Sequence, residues 1–183
     1  MIKKIVAIGP ESTGKSTLCK QLAEHYNTMW CPEYAREYLN QNGVKYDYAD
    51  LIKIAQGQLT IEDYCEEELK AKSATLNAES ALLFIDTNMY VMKVWYEYVY
   101  HKCEQLVLDE IAKRKYDLYL LCNIDLPWID DPMREYPEEK PRIDLYNIYK
   151  DLLINQSTPW IEISGNYNER LQKAIDAVER FFL

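Results

Sequence analysis

Short apolar runs recur along this chain at residues 3–8, 28–31, 81–85, 118–122 and 160–163. Runs of that length, rich in Ile, Val, Leu and aromatic residues, predict strands buried on both faces. Between them the rhythm changes. Leu18, Leu22 and Tyr26 recur at helical spacing over 17–26, and Leu171, Ala174, Ile175, Val178 and Phe181 form one stripe near the end. That stripe predicts an amphipathic closing helix. Five strands alternating with helical segments argue for an α/β fold, an open parallel sheet with helices on both faces.

Two stretches depart from plain alternation. From 46 to 77 a long helical pattern carries Glu66, Glu67 and Glu68 with Lys70 and Lys72, the composition of a solvated helix face. From 126 to 142 the chain gathers four of its seven prolines with Asp130, Asp131, Arg134 and Arg142. That breaks helical continuity and predicts a mobile lid over a site. No internal repeat or low-complexity linker intervenes, so the expected organisation is one domain, 1–183, with its lid at about 126–142.

Composition narrows the function classes. Of 183 residues, 48% are hydrophobic and 28% charged, an ordinary globular balance. No apolar run approaches the roughly 20 residues that span a bilayer. The start, Met1-Ile2-Lys3-Lys4, leads into four apolar residues with no small-residue cleavage site, so a cytoplasmic protein is expected. Thirty Asp and Glu against 21 Lys and Arg give a net charge of −9, which disfavours nucleic acid and anionic membranes as partners. Cys19, Cys31, Cys65, Cys103 and Cys122 are odd in number and widely spaced; they read as reduced thiols, with Cys31 and Cys122 as small buried hydrophobes.

The chemistry concentrates after the first strand. Gly9-Pro10-Glu11-Ser12-Thr13-Gly14-Lys15-Ser16 satisfies G-x-x-x-x-G-K-[ST] between a predicted strand and a predicted helix, the context that makes a P-loop. Backbone N–H groups of Gly9 to Thr17 are expected to cradle phosphate, Lys15 to reach the β- and γ-phosphates of ATP, and Ser16 to offer a hydroxyl to Mg²⁺. The third predicted strand ends in Asp86, which suits the acidic Mg²⁺-side residue of P-loop proteins; its competing reading is an N-cap for the helix that follows. Glu33 and Arg36 sit one helical turn apart after the second strand, either beside a hydroxyl-bearing substrate or as a surface ion pair. Arg134 and Arg142 are candidates for neutralising a transferring phosphoryl group. Tyr34, Tyr90, Trp95 and Trp128 could stack on a planar, particularly cationic, ring.

At these residues the chain resembles the ribosylnicotinamide kinases of the NadR type. The likeness runs through the P-loop with its internal Glu11, Pro-Glu-Tyr-Ala-Arg-Glu-Tyr at 32–38, Phe-Ile-Asp-Thr-Asn at 84–88, Tyr-Asp-Leu-Tyr-Leu-Leu at 116–121 and Pro-Trp-Ile-Asp-Asp-Pro-Met-Arg at 127–134. The resemblance implies a P-loop kinase fold and phosphorylation of the 5′-hydroxyl of nicotinamide riboside by ATP with Mg²⁺. It implies Lys15, Asp86, Arg134 and Arg142 as catalytic residues, and Glu33, Tyr34, Arg36, Asp86, Asn88, Trp128 and Asp131 as contacts of a small nucleoside substrate. Asp86 is expected as acid-base or Mg²⁺ anchor, Glu33 with Arg36 as positioners. Asn88 departs from the family, which often carries a second aspartate there. A His-x-Gly-His nucleotidyl-transfer motif is absent, and no upstream adenylyltransferase or DNA-binding domain is expected. The alternatives are an ATP-binding switch acting on a protein partner and a kinase for another nucleoside. A 5′-polynucleotide kinase is disfavoured by the acidic balance.

Overall fold

Ile5, Val6, Ala7 and Ile8 have no exposed surface, because β1 (Ile2–Ile8) lies in the middle of a sheet with a neighbour on each edge. The computed structural model describes residues 1–75 and 81–182. After β1 come α1 (Lys15–His25), β2 (Met29–Cys31), α2 (Tyr34–Asn42), α3 (Tyr48–Thr75), β3 (Ala81–Asp86) and α4 (Met89–Tyr100). Then follow α5 (Gln105–Lys113), β4 (Leu118–Cys122), α6 (Glu139–Ile154), β5 (Trp160–Ile163) and α7 (Tyr167–Phe182). The sheet order is β2-β3-β1-β4-β5 and every pairing is parallel. The expected five-strand parallel sheet is therefore present.

Side-chain alternation along the strands divides the core. Ile5 and Ala7 of β1, with Phe84, Leu118 and Leu120, face Leu18 and Leu22 of α1 and Ala174 and Val178 of α7. Val6 and Ile8, with Leu83, Ile85 and Leu121, face Leu69 of α3, Val91 and Val94 of α4 and Leu145 and Tyr149 of α6. Helices thus cover both faces. Each fully buried aliphatic side chain contributes about 1.5–3 kcal/mol. A satellite core of Tyr38, Leu39, Leu51, Ile54, Met92, Tyr96 and Val107 joins α2, α3, α4 and α5 beyond the sheet. This satellite sets the position of α2 and α4, which wall the site.

Register fixes where the strands end: Ala7 pairs with Asp86 and Ile8 with Leu121. From β1 the chain runs through α1 to β2 at one edge, and from β3 it crosses back past β1 to β4, so the strand order reverses beside β1 and a crevice opens at the carboxyl ends of the strands. The helix predicted over 46–77 is α3; Leu76 and Asn77 lie outside the described residues. In its charged block Glu67, Lys70 and Lys72 are exposed as expected, while Glu66 and Glu68 are half-buried. Glu66 pairs with Lys4 at 3.2 Å and Lys70 at 2.6 Å. One turn earlier Glu62 is fully buried between Lys4 at 3.3 Å, Arg114 at 3.2 Å and the Tyr116 hydroxyl at 3.0 Å.

Residues 123–138 carry only turns and bends, and α6 begins at Glu139. The last four residues of the expected lid, Arg142 included, therefore form the first turn of α6. Pro141 fits there because first-turn N–H groups have no intrahelical partner to lose. The five cysteines are free thiols, four of them buried. No described helix is long and apolar enough to cross a membrane.

Candidate active site

The loop from β1 to α1 is shaped by two glycines. At Gly9, φ is 140° and a Cβ would lie 2.6 Å from the Cys122 carbonyl oxygen; at Gly14, the N-cap of α1, φ is 79°. Both conformations belong to glycine. Gly14 offers α1 no side-chain cap, so first-turn N–H groups and the positive end of the helix dipole are left to serve an anion. The Thr13 hydroxyl donates to the Pro10 carbonyl at 2.7 Å, and Lys15 Nζ donates to the same oxygen at 2.9 Å. Behind the loop lies Arg170, 2% exposed. It donates to the carbonyls of Thr13 at 2.9 Å, Gly165 at 2.7 Å and Asn123 at 2.9 Å, and pairs with the Asp125 carboxylate. One guanidinium thus ties the loop to β4 and to the start of α7.

Two carboxylates flank the loop. Asp86 is fully buried and neither of its oxygens has a hydrogen-bond partner among the described residues. Burial first, and the neighbouring Glu33 second, push its carboxyl from 3.8 up to about 6, against the pull of Lys15 and the nearby Ser16 and Thr87 hydroxyls. Thr87 holds a φ of 76°, a left-handed conformation that costs a β-branched residue about 1–3 kcal/mol. Its hydroxyl lies 3.5 Å from Glu33 Oε1. The N-cap of α4 is Asn88, whose Oδ1 accepts from the Tyr90 N–H at 3.0 Å, so the capping alternative for Asp86 falls away.

Residues 123–138 cross over the loop. Glu11 Oε2 accepts from the backbone N–H groups of Glu135 at 2.9 Å and Tyr136 at 3.3 Å. Ser12 Oγ accepts from the Ile129 N–H at 3.0 Å and the Arg134 guanidinium at 3.3 Å. Asp131 accepts from the Met133 N–H at 3.0 Å and pairs with Arg36 at 2.9 Å; these bonds hold its carboxyl below the usual range. The Tyr46 hydroxyl accepts from Trp95 Nε1 at 2.7 Å and donates to Glu135 at 2.9 Å.

Beneath this cover lies a cavity of about 430 Å³. The P-loop, Tyr167, Glu33 and Arg36 line it together with Tyr46, Val91, Val94, Trp95 and Tyr98, which give it an apolar, aromatic surface. A family model described as AAA domain matches residues 4–170. The chain belongs to the AAA domain family. It is also 25% identical over 185 residues to the trifunctional NAD biosynthesis/regulator protein NadR of Escherichia coli strain K12, covering 97% of this chain and 42% of that protein. The Salmonella typhimurium protein of the same name is 25% identical over 186 residues, again with 97% of this chain and 42% of the relative covered. The chain therefore spans about two fifths of the length of these curated relatives. A NadR protein solved in complex with NR superposes with a TM-score of 0.73 at 22% identity, over 98% of this chain and 49% of that one. Thymidylate kinase from Candida albicans superposes at 0.63 with 15% identity, over 97% and 91%. At these identities the structural likeness is one of fold.

In this AAA domain, Gly9, Glu11 to Thr17, Glu33, Arg36, Asp131 and Arg134 converge on the cavity. Six other predicted residues do not line it. Asp86 is fully buried, with Glu33, Lys15, Ser16 and Thr87 as neighbours. Tyr34 packs against α3, where a Cβ on Gly57 would meet its ring at 2.0 Å, and its N–H donates to Gln58 at 2.8 Å. Asn88, besides capping α4, donates to the Tyr119 hydroxyl at 3.2 Å. Arg142 is buried and donates to the carbonyls of Ile124 at 3.3 Å and Leu126 at 3.4 Å. Trp128 lies inside the covering segment, with the Arg142 and Arg134 guanidinium groups 5.5 and 5.8 Å from its ring centre. Of the ring-stacking candidates, Trp95 lines the cavity, whereas Tyr90 packs on Tyr119. Arg170 and Tyr167 carry no local signal in the sequence, because their partners are brought from distant segments.

The donors near the loop are hard oxygens: the Ser16 hydroxyl and the Asp86 and Glu33 carboxylates. No group of three or more acidic, His or Cys side chains among the described residues could hold a metal unaided. That set, with two unpartnered Asp86 oxygens, fits Mg²⁺, which keeps several waters and is shared with phosphates, better than a metal needing an all-protein cage.

Proposed function

We propose that the chain is an ATP-dependent kinase that phosphorylates the 5′-hydroxyl of nicotinamide riboside to give nicotinamide mononucleotide, a step of NAD synthesis. One observation carries this reading: a single cavity runs from the P-loop, past Glu33, to an aromatic wall under one cover. A nucleotide phosphate and a small acceptor can therefore meet in one space, as phosphoryl transfer needs. The aromatic wall of Tyr46, Trp95 and Tyr98 suits the cationic ring of that riboside. The likeness to NadR proteins, among them structures with NR and with NAD and AMP-PNP, supports the same class of acceptor. The working unit is proposed to be residues 1–183 as one P-loop domain, with 126–138 as lid and 139–142 opening α6.

In this reading Lys15 exchanges its bond to the Pro10 carbonyl for β- and γ-phosphate oxygens, and the N–H groups of 9–17 hold the same phosphates. Ser16 and Asp86 would hold Mg²⁺, which when bound neutralises charge on the phosphates. The proton-accepting role expected of Asp86 passes in this reading to Glu33, because Asp86 is fully buried and does not line the cavity whereas Glu33 does: Glu33 accepts the hydroxyl proton as the riboside oxygen bonds to the γ-phosphorus and the bond from that phosphorus to the bridging oxygen of ADP breaks. Asp131 fixes Arg36, and Arg134 lies at Ser12 where it can answer charge on the transferring group. Arg142 and Trp128 hold the covering segment in shape. The test is ATP, Mg²⁺ and a panel of ribosides, with mass detection of product and Lys15→Ala as control. Nicotinamide riboside gaining one phosphate supports the reading; ATP hydrolysis with no phosphorylated riboside contradicts it and favours a switch module.

A further inference from the structure

Segment 123–138 has no sheet or helix to satisfy its backbone, so its N–H groups must find partners elsewhere. Asp131 takes two of them itself, from Met133 through its carboxylate at 3.0 Å and from Arg134 through its carbonyl at 3.0 Å. Three others end on side chains of the phosphate loop. Ile129 donates to Ser12 Oγ at 3.0 Å, and Glu135 and Tyr136 donate to Glu11 Oε2 at 2.9 and 3.3 Å. Glu11 is thus the one carboxylate of the loop and grips two successive amides of the segment above it.

An ionised carboxylate is acceptor-only and cannot bind a phosphate oxygen. Beside a triphosphate its charge opposes the ligand, so its place in the loop calls for another task. Between its two anchor points the segment carries Arg134, whose guanidinium meets Ser12 Oγ at 3.3 Å and the Ile129 carbonyl. The loop therefore holds the segment at both ends of the stretch that delivers the arginine. We infer that Glu11 is a positioning residue: its carboxylate latches the 135–136 end of the segment onto the phosphate loop, opposite the Ser12 anchor at Ile129, and so places Arg134 over the phosphate cradle. The latch itself rests on the hydrogen-bond pattern; its effect on turnover rests on the kinase reading.

Backbone hydrogen exchange across 129–136 on the full chain without nucleotide tests the latch directly. Glu11→Ala removes the acceptor and is expected to speed exchange in that segment about tenfold or more, with α1 and β3 unchanged. Glu11→Gln keeps a carbonyl at the same reach and restores most of the protection. Glu11→Asp, one methylene shorter, stands in for alanine if that chain fails to fold, and is likewise expected to loosen the segment. Wild-type exchange in the alanine or aspartate variant, or no rescue by glutamine, overturns the latch. In turnover, Glu11→Ala is expected to lower kcat about tenfold with riboside KM changed less than about threefold, and Glu11→Gln to recover it; an unchanged kcat overturns the positioning role. If the exchange pattern holds and the wild type phosphorylates no riboside, the latch stands and the kinase reading falls.

Discussion

Asp86→Asn should stabilise the ligand-free protein while destroying its activity. In the fold the Asp86 carboxyl is pushed from 3.8 to about 6 by burial and by Glu33, and its oxygens lack partners. Below about pH 4 the group is protonated folded and unfolded, and contributes nothing. Between about 4 and 6 the unfolded chain gives up the proton first, so stability falls as pH rises; above about 6 the full penalty is present. A displacement of that size corresponds to about 3 kcal/mol. The asparagine variant, neutral at every pH, should therefore melt higher at pH 7.5, by up to about 6–12 °C for a chain of this length. The gain should shrink toward zero at pH 4. Comparing the two proteins at each pH removes the contribution of the titrating groups they share. Calorimetry from pH 4 to 8 measures this. A variant less stable than wild type at pH 7.5, or a gain independent of pH, would refute an uncompensated buried carboxylate held ready for a cation.

Three further outcomes follow from the same geometry. Arg170→Met strips three carbonyls and the partly exposed Asp125 carboxylate of their shared donor, and should cost about 2–4 kcal/mol in urea unfolding; a loss under about 1 kcal/mol would remove Arg170 as the strut of the P-loop. Glu33→Gln should lower turnover sharply and also weaken riboside binding in the presence of a non-hydrolysable ATP analogue, whereas Asp86→Asn should lower turnover sharply but largely spare that binding; the reverse binding pattern in titration calorimetry would exchange their roles. Arg134→Ala should lower kcat with little change in Tm, whereas Arg142→Ala, which frees two carbonyls under the covering segment, should lower Tm as well; equal thermal effects would contradict the division between them.

The strands were legible because each is an unbroken apolar run closed by a turn, and observed ends fall within one residue of the expected ones. The P-loop was legible because its chemistry is local: glycine, lysine and hydroxyl follow one another in eight residues. What escaped was set by distance. Arg170 reaches Thr13 across 157 positions, and no local spacing announces such a partner. Tyr34 has the composition of a stacking residue, yet α3 brings Gly57 against its ring. Asn88 invites a substrate role in sequence, but a short polar side chain at a strand-to-helix junction satisfies helix N–H groups first. Pro141 suggested a break in helical continuity, although proline in a first helical turn leaves the helix intact. The block at Glu66 reads as solvated from composition alone; the burial of Glu62 under Lys4 and Arg114 depends on how α3 crosses the sheet.

The central claim is that a phosphoryl group passes from ATP to a riboside hydroxyl within one covered cavity. A single-turnover reaction with γ-labelled ATP, Mg²⁺ and nicotinamide riboside, quenched and resolved by mass, follows that group directly. The account predicts the label in the 5′-phosphate of nicotinamide mononucleotide, in step with ADP, and little in inorganic phosphate. Label recovered in inorganic phosphate alone, with the riboside unchanged, would contradict it.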